Sequence, residues 1–551
     1  MPIFTMPLVG NPNTRTRAHS SVAFDKDQIL RAVRINKEDD GYSVEKRSGL
    51  GAANTISSGN AGTAIHISSS TGAVITAFTV AGESSIFSDA TNCGTITNNY
   101  VVRHISERVI SGVTYYLLSA VDSTDVTATQ GWFLASDAFA DTSFTADTTN
   151  GSAVLLDVQG ETGVYPGQAI SGTSIAAGAR ILTVDSPTQI TMTINATGTT
   201  GNTVVTKTPI ALIIDADFPT GIVGEFMEID GYGLIATQGG LLYNSDLNSV
   251  TAWSALGFLS ANQETDSGVG LARYKAQILF FGAASIEYFY NAGNATGSPL
   301  TRISKAVSGV GAYLSANSPR ASCIASGLDM IVWAVGVDVL GTMVYMISPE
   351  GMRKISTPAI ETLFALDALY AISITRDVSN TNICLSGKIG SSVLNFLYCV
   401  ENGLWTDAAY SIVTRFSTAL RGSGGSTQCI DLGGTTGAVF APVATTFTDN
   451  AAAFTMTIQK AKWDAGTNKK KFVSEIELLG SDIQSSGATT LNISTDDFAT
   501  QDLLGTFDNT LIDPVITRCG SFAGGASFQL THNANTAWRA KALRITYELE
   551  T

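Results

Sequence analysis

YKAQILFFGAASIEYFYN, residues 274–291, decides the fold. The apolar run Ala276–Phe281 ends at Gly282, and after Ser285 a second run carries Tyr288, Phe289 and Tyr290. Both runs are too short for a buried helix and a glycine turn parts them, so they read as neighbouring strands. The rhythm returns in YGLIATQGGLLYNSD (232–246), LDMIVWAVGVDVLGTMVYMISPEG (328–351) and SVLNFLYCVENGLWTD (392–407). Strand meanders repeated in this way predict a β-propeller from about Gly231 to Pro442, with a β-sandwich array as the alternative. Trp253, Phe258, Phe280, Phe281, Tyr288 and Tyr290 are expected to supply one or two blade cores.

Further strands are expected on both sides, among them Ala64–Ile67, Ala73–Val80, Thr114–Val121 and Leu543–Leu549. Each is short, apolar or alternating, and ended by a turn residue, so the chain is all-β. Residues 151–207 differ in texture. They alternate cleanly, turn on Gly or Pro and carry few charges, as a small inserted β-domain would. Another boundary falls near Asp464–Asn468, followed by alternating strands of a β-sandwich-like region. The expected division is therefore 1–150 as the N-terminal β part of the main body, 151–207 as the insert, 208–465 as the propeller body and 466–551 as the C-terminal region. The one helix expected is Ala359–Ala368, which follows Pro358 and has helical apolar spacing.

The composition fits. Of 551 residues, 44% are apolar and 14% charged, with 53 Gly and 13 Pro, which suits short strands joined by tight turns. The net charge of −15 argues against a tight duplex-DNA binder, whose affinity rests on phosphate neutralisation. Lys469–Lys470–Lys471 is the only basic cluster and reads as a solvated turn. The six cysteines stand at least fifteen positions apart, so no C-x-x-C knuckle exists, and buried free thiols are expected. The N-terminus lacks the basic-then-apolar pattern of a signal peptide. Met330–Ile347 is apolar enough to imitate a membrane span, but its Val, Ile and Gly content fits two core strands turning near Asp338–Gly341.

Catalytic and metal motifs are missing: no phosphate-binding G-x-x-x-x-G-K-[ST], no G-x-S-x-G and no H-E-x-x-H. The four histidines, His19, His66, His104 and His532, have no ligand or triad partner at motif spacing. The acidic groups Glu38-Asp39-Asp40 and Asp496-Asp497 sit in turns, where Asp bonds its own backbone. Gly422–Ser426 lacks the strand-then-helix context of a phosphate cradle. No catalytic, cofactor-binding or metal-ligating residue is assigned, and no cofactor is expected.

Several stretches resemble the packaged-DNA stabilisation proteins of short-tailed bacteriophages, also called tail nozzle or hub proteins. One is the turn Lys46-Arg47-Ser48-Gly49, where the family pattern has Pro at the third position. The sharpest runs from Leu241 to Asn294, through Trp253, Phe258, Asp266, Gly282, Ser285, Glu287, Tyr290 and Gly293. Ser356, Pro358 and Glu361 fit a third segment, and the closing strands a fourth; residues 151–207 lie outside the pattern. The resemblance implies a propeller-bearing structural subunit, not an enzyme. It would form a homohexameric ring below the portal and adaptor, assembled in the host cytoplasm. The ring would retain packaged double-stranded DNA, conduct it at ejection without binding it tightly, and carry tail fibres or a needle. The competing reading is a carbohydrate-binding tailspike or adhesin, which calls for aromatic platforms with acidic pairs or a solenoid repeat. A propeller enzyme would need an acid–base or metal set.

Overall fold

The computed structural model describes the chain apart from residues 1, 10–28, 39–40, 52–53, 81, 140–142, 262, 265, 313–322, 338–340, 365–368, 378–379, 422–423, 433, 435, 481–486, 497 and 551. Seven four-stranded antiparallel blades follow one another; five are separate sheets, while blades 2 and 6 each continue into a nine-stranded sheet. Blade 1 starts with Ala61–Ile67, blade 2 with Tyr100–Ile110, blade 3 with Ile222–Ile229 and blade 4 with Gly268–Tyr274. Blades 5, 6 and 7 start with Ile324–Gly327, Leu369–Asp377 and Thr414–Arg421. Each first strand packs against the first strand of the next blade, and that of blade 7 against that of blade 1, so the seven ring a common axis. The last blade borrows its outer strand: Asn54–Thr55 pairs with Ala438–Phe440 and closes the circle.

Blade faces are buried on both sides, which is why the runs that mark them are continuous rather than alternating. Phe280 and Phe281 are consecutive and both buried, one in the core between blades 3 and 4, the other between blades 4, 5 and 6. Met330–Val337 and Gly341–Ser348 form paired core strands, as expected, and their turn residues 338–340 lie outside the described part. Not every expected core aromatic is inside. Trp253 is buried, but Phe258 is 38% and Tyr290 41% exposed, because both occupy the outer half of a blade.

The segmentation departs from the expected one at both ends. The propeller occupies roughly 54–440, so it begins in the first 150 residues and not at 208. The N-terminal strands Ile3–Pro7 and Ile29–Arg31 belong instead to a sandwich with the C-terminal region. One sheet joins Ile3–Pro7 to Ala542–Leu549, Lys471–Leu479 and Val515–Phe522. It faces strands that include Met456–Trp463 and Ala526–His532, over a core of Met6, Trp463, Ile476, Leu530 and Ile545. Pairing between the two chain ends is non-local, and no local pattern announces it.

The segment around 151–207 has its own core, from Phe144 and Leu155 to Ile190 and Val205. It is not a separate sheet, however. The long strand Thr200–Leu212 pairs with Ser143–Thr148 in its first half and with blade 2 through Ile210–Leu212 in its second. The helix is Pro358–Leu363, capped by Thr357 with Pro at its first turn, shorter than expected; residues 365–368 of the expected span lie outside the described part. Lys471 also departs from the solvated reading. Its side chain is buried, and Nζ donates to the carbonyls of Thr467, Lys469 and Gly524.

Candidate functional site: the propeller axis

Polar side chains on the inner strands meet at the axis. Arg415 of blade 7 donates from Nη1 to the carbonyls of Thr63 in blade 1 (3.0 Å) and Arg103 in blade 2 (2.6 Å). Its Nη2 lies 3.5 Å from His104 Nδ1. One guanidinium thus spans three blades across the point where the ring closes. His66 of blade 1 stands 3.5 Å from Glu107 of blade 2, whose carboxylate also accepts from the Ser69 amide at 3.0 Å. Beside them Glu225 of blade 3 and His104 line a cleft with Gly224, Gly270 and Cys323, residues from blades 2 to 4 and the lead-in to blade 5.

Electrostatics follow from that enclosure. Burial pushes the Glu225 carboxyl up, against the opposing pull of His66 and Arg415. Burial likewise opposes ionisation of Glu107, but bonds from His66, Ser69 and Ser68 outweigh it and hold its pKa at about 2. His104 is driven down to about 3, first by burial and then by Arg415 and Arg103. The cluster balances charges of both signs around a guanidinium bridge. It ties blades together at the inner strands.

His104 gives a pH prediction. Its folded pKa lies below the unfolded value of about 6.5, so it stays neutral when folded while the unfolded chain takes up a proton. Its contribution therefore costs stability as pH falls from about 6.5 towards about 3 and is absent above that window. A His104→Gln variant is expected to show a shallower loss of urea midpoint between pH 7 and pH 4 than the parent. Parallel losses would remove His104 from the account.

The sequence-marked residues turn out to be clasps. Asp266 accepts from the amides of Ala284 (2.7 Å) and Ser285 (2.9 Å) and from Ser285 Oγ (3.2 Å), pinning the central turn of blade 4. Gly282 is needed there because a Cβ would stand 2.3 Å from that carboxylate. Glu287, only 2% exposed in its side chain, pairs with Arg302 at 2.8 Å and accepts from the Gln263 amide. Ser356 donates to Glu361 (2.7 Å), which also pairs with Lys354 (2.9 Å), fixing the helix between blades 5 and 6. Arg47 and Asp449 form a buried pair beneath the exit of blade 7. Gly49 is obligatory there, since a Cβ would meet the Thr448 carbonyl at 2.1 Å.

The remaining candidates resolve singly. Glu107, three positions after His104, meets His66 from the neighbouring blade, a contact that only the ring creates. His532 is buried in the sandwich between Thr489, Asn509 and Thr536, and burial and Lys46 lower it to about 4. Asp496 accepts from Ser494 and Thr500 within its own turn. His19, Asp39, Asp40, Asp497 and Gly422 lie outside the described residues. The six cysteines are buried and free. Among the described residues no group of three His, Cys, Asp or Glu could hold a metal, and no helix is long and apolar enough to cross a membrane.

Residues 158–378 match the family model for phage stabilisation proteins, described as bacteriophage P22 Gp10, beta-propeller. The match takes in most of 151–207, which lies outside the motif pattern; the strand Thr200–Leu212 leaves this segment and pairs with blade 2. No curated protein matches the sequence. Among solved structures, the chain is similar to Saccharomyces cerevisiae Sqt1 (8% identity, 72% of this chain and 99% of that one, TM-score 0.35). It is similar to the phage phi92 endosialidase (11% identity, 88% and 69%, TM-score 0.30). A third likeness is to BBS1N in complex with ARL6DN (10% identity, 75% and 98%, TM-score 0.32). Likenesses at this level identify neither an activity nor a partner.

Proposed function

We propose that this chain is a ring-forming subunit of a short phage tail, a reading supported by the match of residues 158–378 to the family model for phage stabilisation proteins. In this reading six copies enclose a channel that continues the genome path, help to retain packaged DNA and conduct it during ejection. The ring is assembled in the host cytoplasm, against adaptor or portal-side proteins above and fibre or needle proteins below.

The observation that carries the reading is the family match over residues 158–378. Arg415 ties the inner strands of the neighbouring blades 7, 1 and 2 together, so the propeller serves as a rigid unit, and in this reading the DNA path runs between subunits of a ring. The charge agrees. A conduit wall that neutralised phosphates would hold the genome by counterion release, whereas this chain carries −15. Its field extends about 8 Å at physiological salt, so it acts only on DNA passing close by.

The purified chain is accordingly expected to show no binding to linear duplex DNA at about 0.15 M salt, at protein concentrations up to roughly 100 μM. Salt-sensitive retention of DNA in a filter assay would contradict this and point to a basic face, with Lys469 and Lys470 the first residues to neutralise.

A further inference from the structure

Ile3–Pro7 lies at the margin of its sheet in the sandwich, and among the described strands it pairs only with Ala542–Leu549. Just past that ladder the Leu8 amide donates to the Lys541 carbonyl at 2.9 Å. Met6 and Leu8 have no exposed surface, and Phe4 stacks on Trp463 with ring centroids 5.3 Å apart. A five-residue edge strand has one ladder to lose, so it belongs to the parts of a fold that open at low cost. Its docking then rests on these side chains and on the group that receives the Leu8 carbonyl.

That group is a lysine. Lys460, on Met456–Trp463 of the facing sheet, is 1% exposed, and its Nζ donates to the Leu8 carbonyl at 3.2 Å. Its register partner, Phe528, is fully buried as well. The side chain thus crosses from one sheet of the sandwich to the strand at the margin of the other. Enclosing an ammonium in this way disfavours its charged form, and burial lowers the Lys460 pKa to about 7. The charges on the surrounding elements are turned away or engaged elsewhere. Ile3–Pro7 carries none. Glu475, Glu477 and Arg544 alternate with the core residues Ile476, Leu478, Leu543 and Ile545, so they lie on the outer face of their sheet. Lys462 is exposed, and Arg31, at the surface, faces Asp407. Lys471 is bound to three carbonyls, and His532 pairs with Met456, four residues along the strand from Lys460.

We infer that Ile3–Val9 is a detachable strand, docked when Lys460 is neutral and loosened when Lys460 is protonated. The neutral amine keeps two of its three N–H donors, so the bond to Leu8 survives loss of the proton. Once the strand is released, Lys460 meets water and regains an ordinary pKa of about 10.4. Release therefore takes up a proton between about pH 7 and that value. Docking strengthens as pH rises through this window, and below about pH 7 it is weakest and level.

The test is hydrogen exchange of the full chain, read by mass spectrometry on a peptide that contains residues 3–8 and corrected for the intrinsic pH dependence of exchange. Protection of that peptide is expected to rise about tenfold or more from pH 6.5 to pH 8.5. A peptide covering Ile476–Leu479, in the middle of the same sheet, is expected to stay level. Lys460→Met binds no proton there, so its 3–8 peptide should be protected at both pH values. Lys460→Arg stays charged, so its peptide should be poorly protected at both. Level protection in the parent, or the same rise in either variant, overturns the proposal. A rise shared equally by Ile476–Leu479 also overturns it, because the strand would then open only with the whole sandwich.

Discussion

Replacing Arg47 by Ala is expected to lower stability by about 3–5 kcal/mol, the usual result of removing one member of a buried ion pair. The side chains of Arg47 and Asp449 are 3% and 6% exposed. The guanidinium is held by both Asp449 oxygens and by the carbonyls of Ala408 and Ser48. It also stacks over Tyr410 and Phe454, 4.2 and 3.9 Å from the ring centroids. Asp449 in turn accepts from the Leu50 amide at 3.0 Å. Truncating Arg47 strands that carboxylate in a dry site, where a lone charge is costly. The damage has a predictable place. Gly49–Leu50 pairs with Pro442–Val443 next to the strand that closes blade 7, so amide exchange should rise first in blade 7. Urea unfolding followed by tryptophan fluorescence gives the size of the effect. Arg47→Ala combined with Asp449→Leu should recover part of the loss, because neither charge is then left alone. A single-variant loss below about 1 kcal/mol would mean that water reaches the pair.

Phe281→Ala is expected to cost about 3–5 kcal/mol, the range for emptying a fully buried aromatic site. Phe281 has no exposed surface and packs edge-on to Trp333 of blade 5, ring centroids 5.5 Å apart. It touches a core that runs through blades 4, 5 and 6, where close packing on both faces limits collapse around a cavity. Phe258→Ala is the control. That ring is partly exposed, and its loss should cost under about 1 kcal/mol. Equal effects at the two positions would show that the phase assigned to one of the strands is wrong.

These two residues also show how much the sequence discloses. Phe281 lies in the run whose unbroken apolar character marks a strand covered on both faces, and that character needs no alignment to read. The same logic wrongly takes Phe258 and Tyr290 inside, because aromatic content alone does not separate the inner half of a blade from its outer edge. Arg47 was legible only as part of a turn motif. Its partner is Asp449, about four hundred positions away, and pairings that distant leave no periodicity behind. For the same reason the strands Ile3–Pro7 and Ile29–Arg31 read as part of the main body when they complete the sandwich. The axial cluster is the extreme case. His66, His104, Glu107, Glu225 and Arg415 come from four blades, and each alone looks like an ordinary strand residue; only closure of the ring makes them neighbours. The insert was visible by texture, but its last strand runs on into blade 2 without a break in pattern.

The most direct test of the central claim is an averaged electron-microscopy reconstruction of tails from virions that carry this chain with an affinity tag at an exposed loop such as Asp122–Thr127. The account predicts a ring of six copies around a channel wide enough for a duplex that lies between the subunits. Density for DNA running through the propeller axis, or a label found in a peripheral trimeric spike and absent from the channel wall, would contradict it.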